Sequence, residues 1–558
     1  MGPSGSGKTT LLNILAQREA SAKAQVSGTV LFNDRLPSQA TFRKLASFVE
    51  HDDALIGSLT VKETLHFAAR LSLGTVTAVE RIRRVDELLQ AFGLTKQAKT
   101  LVGTLVRKGI STGQKRRLSV ASQLISAPKI LFLDEPTSGL DSAASFKVMS
   151  YVREVAKKNK LIIVASIHQP STKTFRLFDK LLLLSGGKTC FCGQISEVGS
   201  YFDNIGFVMP PQTNPAEFLL DLTNVDFETD SELACTKIVQ LQESWSRSST
   251  ARDEITRIVT SGFEPFFDTS KEPTGRRHMA ATWILLHRSY IKSHRDVVVY
   301  GIRFGMYLGL AILMGTVWLR LPPTQSSIIP FTTCILFGSS FMSFMAVVYV
   351  PAFLEDRMVF IKDRANGLYG SPAFMLSNFL IGLPYLFLIA FVSSTFVYWM
   401  TNFRPTGDAF MVWVMWMYLN LVAAESLVVL MSCLFPNFVA ALALTAMANG
   451  IWMSCNGFMV PIPNLNPFYR YVFTYIDYQA YVYRGLVVNE FGYRAYSCGK
   501  GCHCMYDTVL KDQCMVDGIG ILQQYGYATG KESKWVGIVL AIILVLRLLG
   551  WCAMHFRK

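Results

Sequence analysis

Gly2-Pro3-Ser4-Gly5-Ser6-Gly7-Lys8-Thr9 fits the pattern G-x-x-x-x-G-K-[ST], and its reading decides the fold of the first half of the chain. In such a loop Gly2, Ser4, Gly5 and Gly7 let backbone N–H groups converge on phosphate oxygens. Lys8 adds a positive charge near the outer phosphates, and the Thr9 hydroxyl is a ligand for Mg²⁺. Thr10 lies in the first turn of the helix that follows, whose positive end favours an anion. Downstream, Ile130-Leu131-Phe132-Leu133-Asp134-Glu135 reads as a buried parallel strand ending in two acids. Ligands of such folds meet the carboxyl ends of strands. Asp134 is therefore expected to hold the metal, and Glu135 to polarise an attacking water as general base. Leu161 to His168 reads as another buried strand, with His168 placed to hydrogen-bond the terminal phosphate.

Composition divides the chain. Of its 558 residues, 51% are apolar and 17% charged, which excludes disordered and fibrous classes. Residues 1–270 carry 32 Lys/Arg and 27 Asp/Glu, as an ordinary soluble domain does, whereas 271–558 carry 22 and 13. The second half is too poor in charge to be soluble. The net charge of +14 is read as basic residues flanking membrane helices, and no nucleic-acid partner is expected.

About 20 apolar residues are needed to cross a bilayer as a helix. Long runs without charge predict six spans, at 297–319, 329–349, 374–400, 410–431, 438–459 and 535–556. Arg276, Arg277, Arg288, Lys292 and Arg295 precede the first span. Arg357, Lys362 and Arg364 lie between the second and third, and Arg557 and Lys558 follow the sixth. The positive-inside rule puts all of these on the cytosolic face with the N-terminal half. Residues 460–534 are then on the outer side. No leader precedes the phosphate loop, so insertion is expected to begin at the first span.

Four of the 11 cysteines fall in that outer segment: Cys498, Cys502, Cys504 and Cys514, with His503 among them. Zinc would suit a Cys/His cluster, but disulfides are expected on the oxidising face, in any of three pairings. Cys190, Cys192 and Cys235 are expected to be reduced packing residues.

Ile110-Ser111-Thr112-Gly113-Gln114-Lys115-Arg116-Arg117-Leu118-Ser119 resembles the signature segment of ABC transporter ATPases, and Ser138-Gly139-Leu140-Asp141 resembles their D-loop. Phosphate loop, signature, Walker B acids, D-loop and switch histidine stand in the family's order. A nucleotide-binding domain ahead of six helices is similar to the subfamily G, white-type half-transporters. Asn214-Pro215-Ala216-Glu217-Phe218, the stretch from Phe353 to Arg364, and that from Tyr483 to Phe491 resemble segments of the same group.

The resemblance implies an α/β P-loop ABC ATPase domain over 1–225, a linker over 226–280 and an all-α six-helix membrane domain over 281–558. It implies binding of ATP and Mg²⁺, with Ser111, Gly113, Gln114 and Asp141 of one subunit reaching the nucleotide held by another. The function implied is ATP-driven export of lipid-like or amphipathic small molecules by a dimer of half-transporters, in the plasma membrane. Phe341, Phe344 and Met453 are the expected cavity-lining residues, with Phe458 and Met459 at its upper closure. Glu355, Arg357 and Lys362 are expected in the cytosolic coupling region.

Three departures from the family pattern bear on this. The chain begins at the phosphate loop, so the strand expected to launch it is missing, and the sheet is expected to have open edges and weak ATP binding. His51 stands where the family has the Q-loop glutamine, and is assigned to the metal with Thr9 and Asp134. Thr112 replaces the first signature glycine. The alternative these departures suggest is a catalytically degenerate structural or regulatory subunit of a heterodimeric transporter.

Overall fold

In the computed structural model the described residues are 1–18, 45–74, 76–104, 107–224, 231–248, 274–460, 462–499, 502–527 and 529–556, with short pieces at 25–28, 30–31, 35–37, 42, 251 and 264–266. Much of the expected linker lies outside them. The chain forms two compact units. The first comprises Met1–Arg277 together with Val359–Gly370, and the second comprises His278–Met358 and Ser371–Lys558. The short Val359–Gly370 segment thus leaves the half of the chain to which its sequence position assigned it.

Among the described residues the main sheet of the first unit has three parallel strands in the order β1 (Ala46–Val49), β2 (Ile130–Asp134), β3 (Ile162–Ser166). All five residues of β2 are buried, as its apolar run requires. An antiparallel hairpin, β4 (Lys180–Ser185) with β5 (Lys188–Gln194), lies apart from this sheet. Helix α1 (Lys8–Leu15) follows the phosphate loop. A helical layer is formed by α2 (Val61–Ser72), α3 (Ala78–Ala91) and α4 (Thr112–Leu124), and α5 (Ser142–Asn159) follows β2. Leu65, Val85, Leu88, Leu118, Val120, Leu131 and Leu133 bury into one core that joins these layers to the sheet.

Among the described residues no strand pairs with the second edge of β3, and Ile162 at its start remains 57% exposed. An apolar cavity of about 340 Å³ occupies the space between Ile163–Ser166 of β3 and Leu181, Leu182 and Leu184 of β4. Leu11, Leu12 and Leu15 of α1 close one side of it. Met1 bonds to the edge of β4, its backbone nitrogen donating to Leu182 O and its carbonyl accepting from Leu184 N. Cys190 is an unpaired packing residue buried in the hairpin core, and burial pushes its thiol up to about 11.

Among the described residues six helices are long and apolar enough to cross a membrane: Tyr300–Val317, Gln325–Ala365, Ser371–Thr401, Gly407–Leu434, Phe438–Cys455 and Glu532–Phe556, the second of them ending within the Val359–Gly370 segment. The second helix runs well beyond its apolar stretch, and the fifth ends at Cys455, sooner than its composition suggested. The fourth is the hub, with its most apolar window 83% buried. Its Trp416 ring lies where any side chain at Gly485 would sit, a Cβ there falling 2.1 Å from Trp416 Cε2. Glycine at 485 is what lets the helix Tyr478–Phe491 pack this closely.

Polar contacts hold this unit together as well. Arg303 of the first span pairs with Glu425 of the fourth at 2.8 Å, each side chain only 2% exposed. Arg547 of the sixth reaches the same carboxylate at 3.7 Å and also bonds Ser426 Oγ and Asn378 Oδ1. Between the fifth and sixth spans the buried Glu490 accepts hydrogen bonds from Arg494 Nη1, Tyr496 OH and the backbone N–H of Arg404.

The four cysteines between the fifth and sixth spans pair as Cys498–Cys504 and Cys502–Cys514. The carboxamide of Gln325 bridges this loop, donating to the carbonyls of Cys498 and His503 and accepting from Met505 N–H. No cluster of three or more metal-binding side chains exists among the described residues, so the zinc alternative finds no site there. Non-reducing peptide mapping of the membrane-inserted protein is expected to recover these two linkages. Any other pairing, or full thiol labelling of the four cysteines without reductant, overturns the assignment.

Candidate nucleotide site

The phosphate loop turns sharply into α1 through Gly7, whose φ of 89° lies in the left-handed region that glycine adopts at no steric cost. Ser4, Gly5, Thr9 and Thr10 present themselves to solvent around this turn, while Gly2 is buried. The Lys8 ammonium donates to the carbonyls of Gly2 and Pro3 at 2.9 and 2.7 Å, curling over its own loop. Burial lowers its pKa from the usual lysine value, and the Glu135 and Asp134 carboxylates oppose that shift. The charged loop and the acids at the end of β2 therefore face one another electrostatically.

Direct contact confirms this. The Thr9 hydroxyl donates to Asp134 Oδ1 at 3.0 Å, although 125 residues separate them. Ser166 at the end of β3 donates to the same Asp134 oxygen at 2.6 Å and accepts from the Glu135 N–H at 2.9 Å. Two hard oxygen ligands at hydrogen-bonding distance suit Mg²⁺, and the residues present thus fit that ion. Glu135 adopts a φ of 47°, a left-handed conformation uncommon for a side-chain-bearing residue. Its backbone is secured on both sides, by Ser166 at the N–H and by Arg116 Nη2 at the carbonyl, 2.9 Å away.

His51 is placed differently from its expected role on the metal. Its Nε2 lies 3.5 Å from Glu135 Oε2 and its Nδ1 3.3 Å from Asp52 Oδ1, so the ring addresses the proposed base. Asp53 is engaged by Arg116. His168 follows β3 and is exposed. Ser111 caps α4, its hydroxyl accepting from Gln114 N–H while the Gln114 carboxamide accepts from Ser111 N–H. Gly113 leaves room for Leu140 of the D-loop, and a Cβ there would fall 2.8 Å from Leu140 Cδ2. Asp141 caps α5 through Ala144 N–H at 2.7 Å. These signature and D-loop residues are thus solvent-facing or partly so and locally rigid.

Two residues carry no site signal in the sequence: Ser166 lies inside the run Leu161–His168, and Arg116 between Lys115 and Arg117 of the signature-like segment. Within the first unit, Asn366 of the Val359–Gly370 segment pairs bidentately with the free edge of β1, accepting from Phe48 N–H and donating to Phe48 O. Lys362 donates to Ala54 O at 3.2 Å and lies 3.5 Å from Ser119 Oγ on α4. The segment expected to couple thus touches the strand and loop beside His51.

Both units match known protein families. Residues 1–138 match the family described as ABC transporter, and residues 168–248 and 280–491 match families described as ABC-2 type transporter. The chain is 34% identical over 579 residues to ABC transporter G family member 11 of Arabidopsis thaliana, covering 98% of this chain and 79% of that one. It is 33% identical over 555 residues to ABC transporter G family member 1 of Petunia hybrida, covering 98% and 84%. A Dictyostelium discoideum protein, also named ABC transporter G family member 1, is 29% identical over 649 residues, covering 100% and 80%.

Proposed function

The chain belongs to the G family of ABC transporters, an ATP-binding, ATP-hydrolysing multi-pass membrane protein that drives transmembrane transport, and from that premise we propose that it exports lipid-like or amphipathic molecules as a dimer of half-transporters. The observation that carries the ATPase part is the junction of Thr9, Asp134 and Glu135 at one point. Phosphate oxygens would replace the carbonyls of Gly2 and Pro3 as partners of Lys8. Thr9 and Asp134 would hold Mg²⁺, which neutralises charge on the outer phosphates. Glu135 would take a proton from the attacking water, with His168 oriented toward the terminal phosphate. Ser111, Gly113, Gln114 and Asp141 would reach the nucleotide of the partner subunit.

The export reading draws support from a row of aromatics on the second span. Phe337 stacks between Trp318 and Phe341, while Phe341 and Phe344 remain 36% and 40% exposed. A stripe of this kind suits an apolar cargo, and Met453, Phe458 and Met459 extend it in the proposal. The plasma membrane is the proposed location. Full-length protein in proteoliposomes is expected to move a fluorescent lipid analogue only when ATP is supplied on the side of the nucleotide-binding unit. Movement that ignores ATP, or ATPase activity that no amphipathic compound alters, would count against it.

A second reading is favoured by the His51–Glu135 contact and by Thr112. In it the chain is a catalytically degenerate subunit whose partner supplies the competent site. ATPase activity of the chain expressed alone in lipid, compared with an ATP-free control, separates the two.

A further inference from the structure

We propose that Arg116 is a positioning residue for ATP hydrolysis, holding Glu135 and the His51 segment in place with a single guanidinium; this rests on the reading of Glu135 as the base. Arg116 lies in α4, directly after the signature residues, and is 2% exposed. Its Nη2 donates to the carbonyls of both Asp134 and Glu135. Its Nη1 donates to the carbonyls of Glu50 and His51, and lies 3.3 Å from Asp53 Oδ1. Two chain segments about eighty residues apart are thereby tied to one rigid fork.

The chemistry requires arginine. A guanidinium offers donors in a fixed plane that can serve two clusters of acceptors at once, whereas a lysine ammonium is a point charge able to serve one. The acceptors are backbone carbonyls, so what Arg116 controls is the course of the main chain. Glu135 sits at a left-handed φ of 47°, where the chain has little intrinsic preference to stay. Ser166 secures the N–H of that residue and Arg116 its carbonyl. The same fork sets the height of His51, whose imidazole lies 3.5 Å from the Glu135 carboxylate. Asp53 supplies the compensating charge. The hydrogen bonds of Arg116 run to none of the phosphate-loop residues. Arg116 is therefore tied to the two acids and the segment facing them, and to no residue of the phosphate loop.

A residue that only stabilises the fold and a residue that positions the base differ in what they change. Full-length protein in lipid, carrying Arg116→Lys, Arg116→Gln, Glu135→Gln or Arg116→Lys with Glu135→Gln, is assayed for ATP turnover, KM and thermal midpoint. Arg116→Lys is expected to lower kcat about tenfold or more with KM for ATP within about twofold, since it removes an interaction acting on the base and not on binding. In the Glu135→Gln background the same change is expected to add little, because the two act as a unit. Should Arg116→Gln fail to fold, Arg116→Lys alone decides. Unchanged kcat in Arg116→Lys overturns the proposal, as does a rise in KM in step with the fall in kcat, or full additivity with Glu135→Gln. Full turnover in Glu135→Gln would instead overturn the assignment of the base, and the positioning role with it. Loss in Glu135→Gln beside normal Arg116 variants would overturn the positioning role alone.

Discussion

Glu135→Gln is expected to reduce ATP turnover by about 10²–10⁴-fold while sparing ATP binding, the range that a well-placed general base contributes. The carboxylate lies at the end of a fully buried strand, with its backbone held by Ser166 and Arg116 and its side chain facing His51. Glutamine keeps the size and the hydrogen-bonding shape but accepts no proton. Lys8→Ala is expected to behave oppositely. It removes a charge from the phosphate loop, and a charge-assisted hydrogen bond is worth about 1.5–3 kcal/mol, so ATP affinity should fall about ten- to a hundredfold. Equilibrium binding of a labelled ATP analogue and a turnover assay, run on both variants, check the pair. Equal loss of binding in the two would remove Glu135 from the role of base.

Glu425→Ala is expected to have the largest effect on stability. The carboxylate is shared by Arg303 and Arg547, on helices that are otherwise apolar, and Gly382 keeps open the space it fills, since a Cβ there would lie 2.8 Å from Glu425 Oε1. The Arg303 guanidinium also lies over the rings of Tyr349, Tyr385 and Tyr307 at 5.1, 5.6 and 5.8 Å. Removing one partner of a buried ion pair leaves an uncompensated charge and costs about 3–5 kcal/mol. Replacing both partners by apolar residues of similar size is often far milder. The double variant Arg303→Met with Glu425→Met leaves only Arg547, which keeps Ser426 Oγ and Asn378 Oδ1 as partners, and should therefore extract from membranes as a better-behaved species than Glu425→Ala alone. Thermal unfolding in detergent measures both. A single variant as stable as the parent, or a double variant worse than the single, would contradict this account.

Much of the nucleotide site was legible because its chemistry is written in short stretches. Gly7, Lys8 and Thr9 lie within three residues, and Asp134 and Glu135 close an unbroken apolar run, so spacing alone announces a phosphate loop and a buried strand ending in acids. The spans were legible for a similar reason, since a bilayer demands length and apolarity along one continuous segment. Their ends were less so. Beyond the apolar stretch, whether a helix continues depends on what it packs against, and the second span continues to Ala365. His51 was recognised as a departure from a motif but assigned to the metal, because the sequence does not reveal which carboxylate its ring faces.

The sequence by itself determined that this chain has a phosphate-binding α/β half, a membrane half with six helices, and four cysteines in one segment between the fifth and sixth of them. Each of these is a property of neighbours along the chain: loop spacing, run length and local composition. Only the tertiary structure decided which partners distant residues take. It paired Cys498 with Cys504 and Cys502 with Cys514, where the sequence allowed three schemes. It placed Val359–Gly370 in the first unit, with Asn366 on the edge of β1. It buried Arg116 and brought Arg303 and Arg547 to Glu425. The physical reason is common to all four. An arginine in a basic run or within an apolar helix has the same local signature whether water or protein surrounds it. Its partner is set by which segments the packed core brings within hydrogen-bonding distance, and that distance is not encoded in any short stretch of chain.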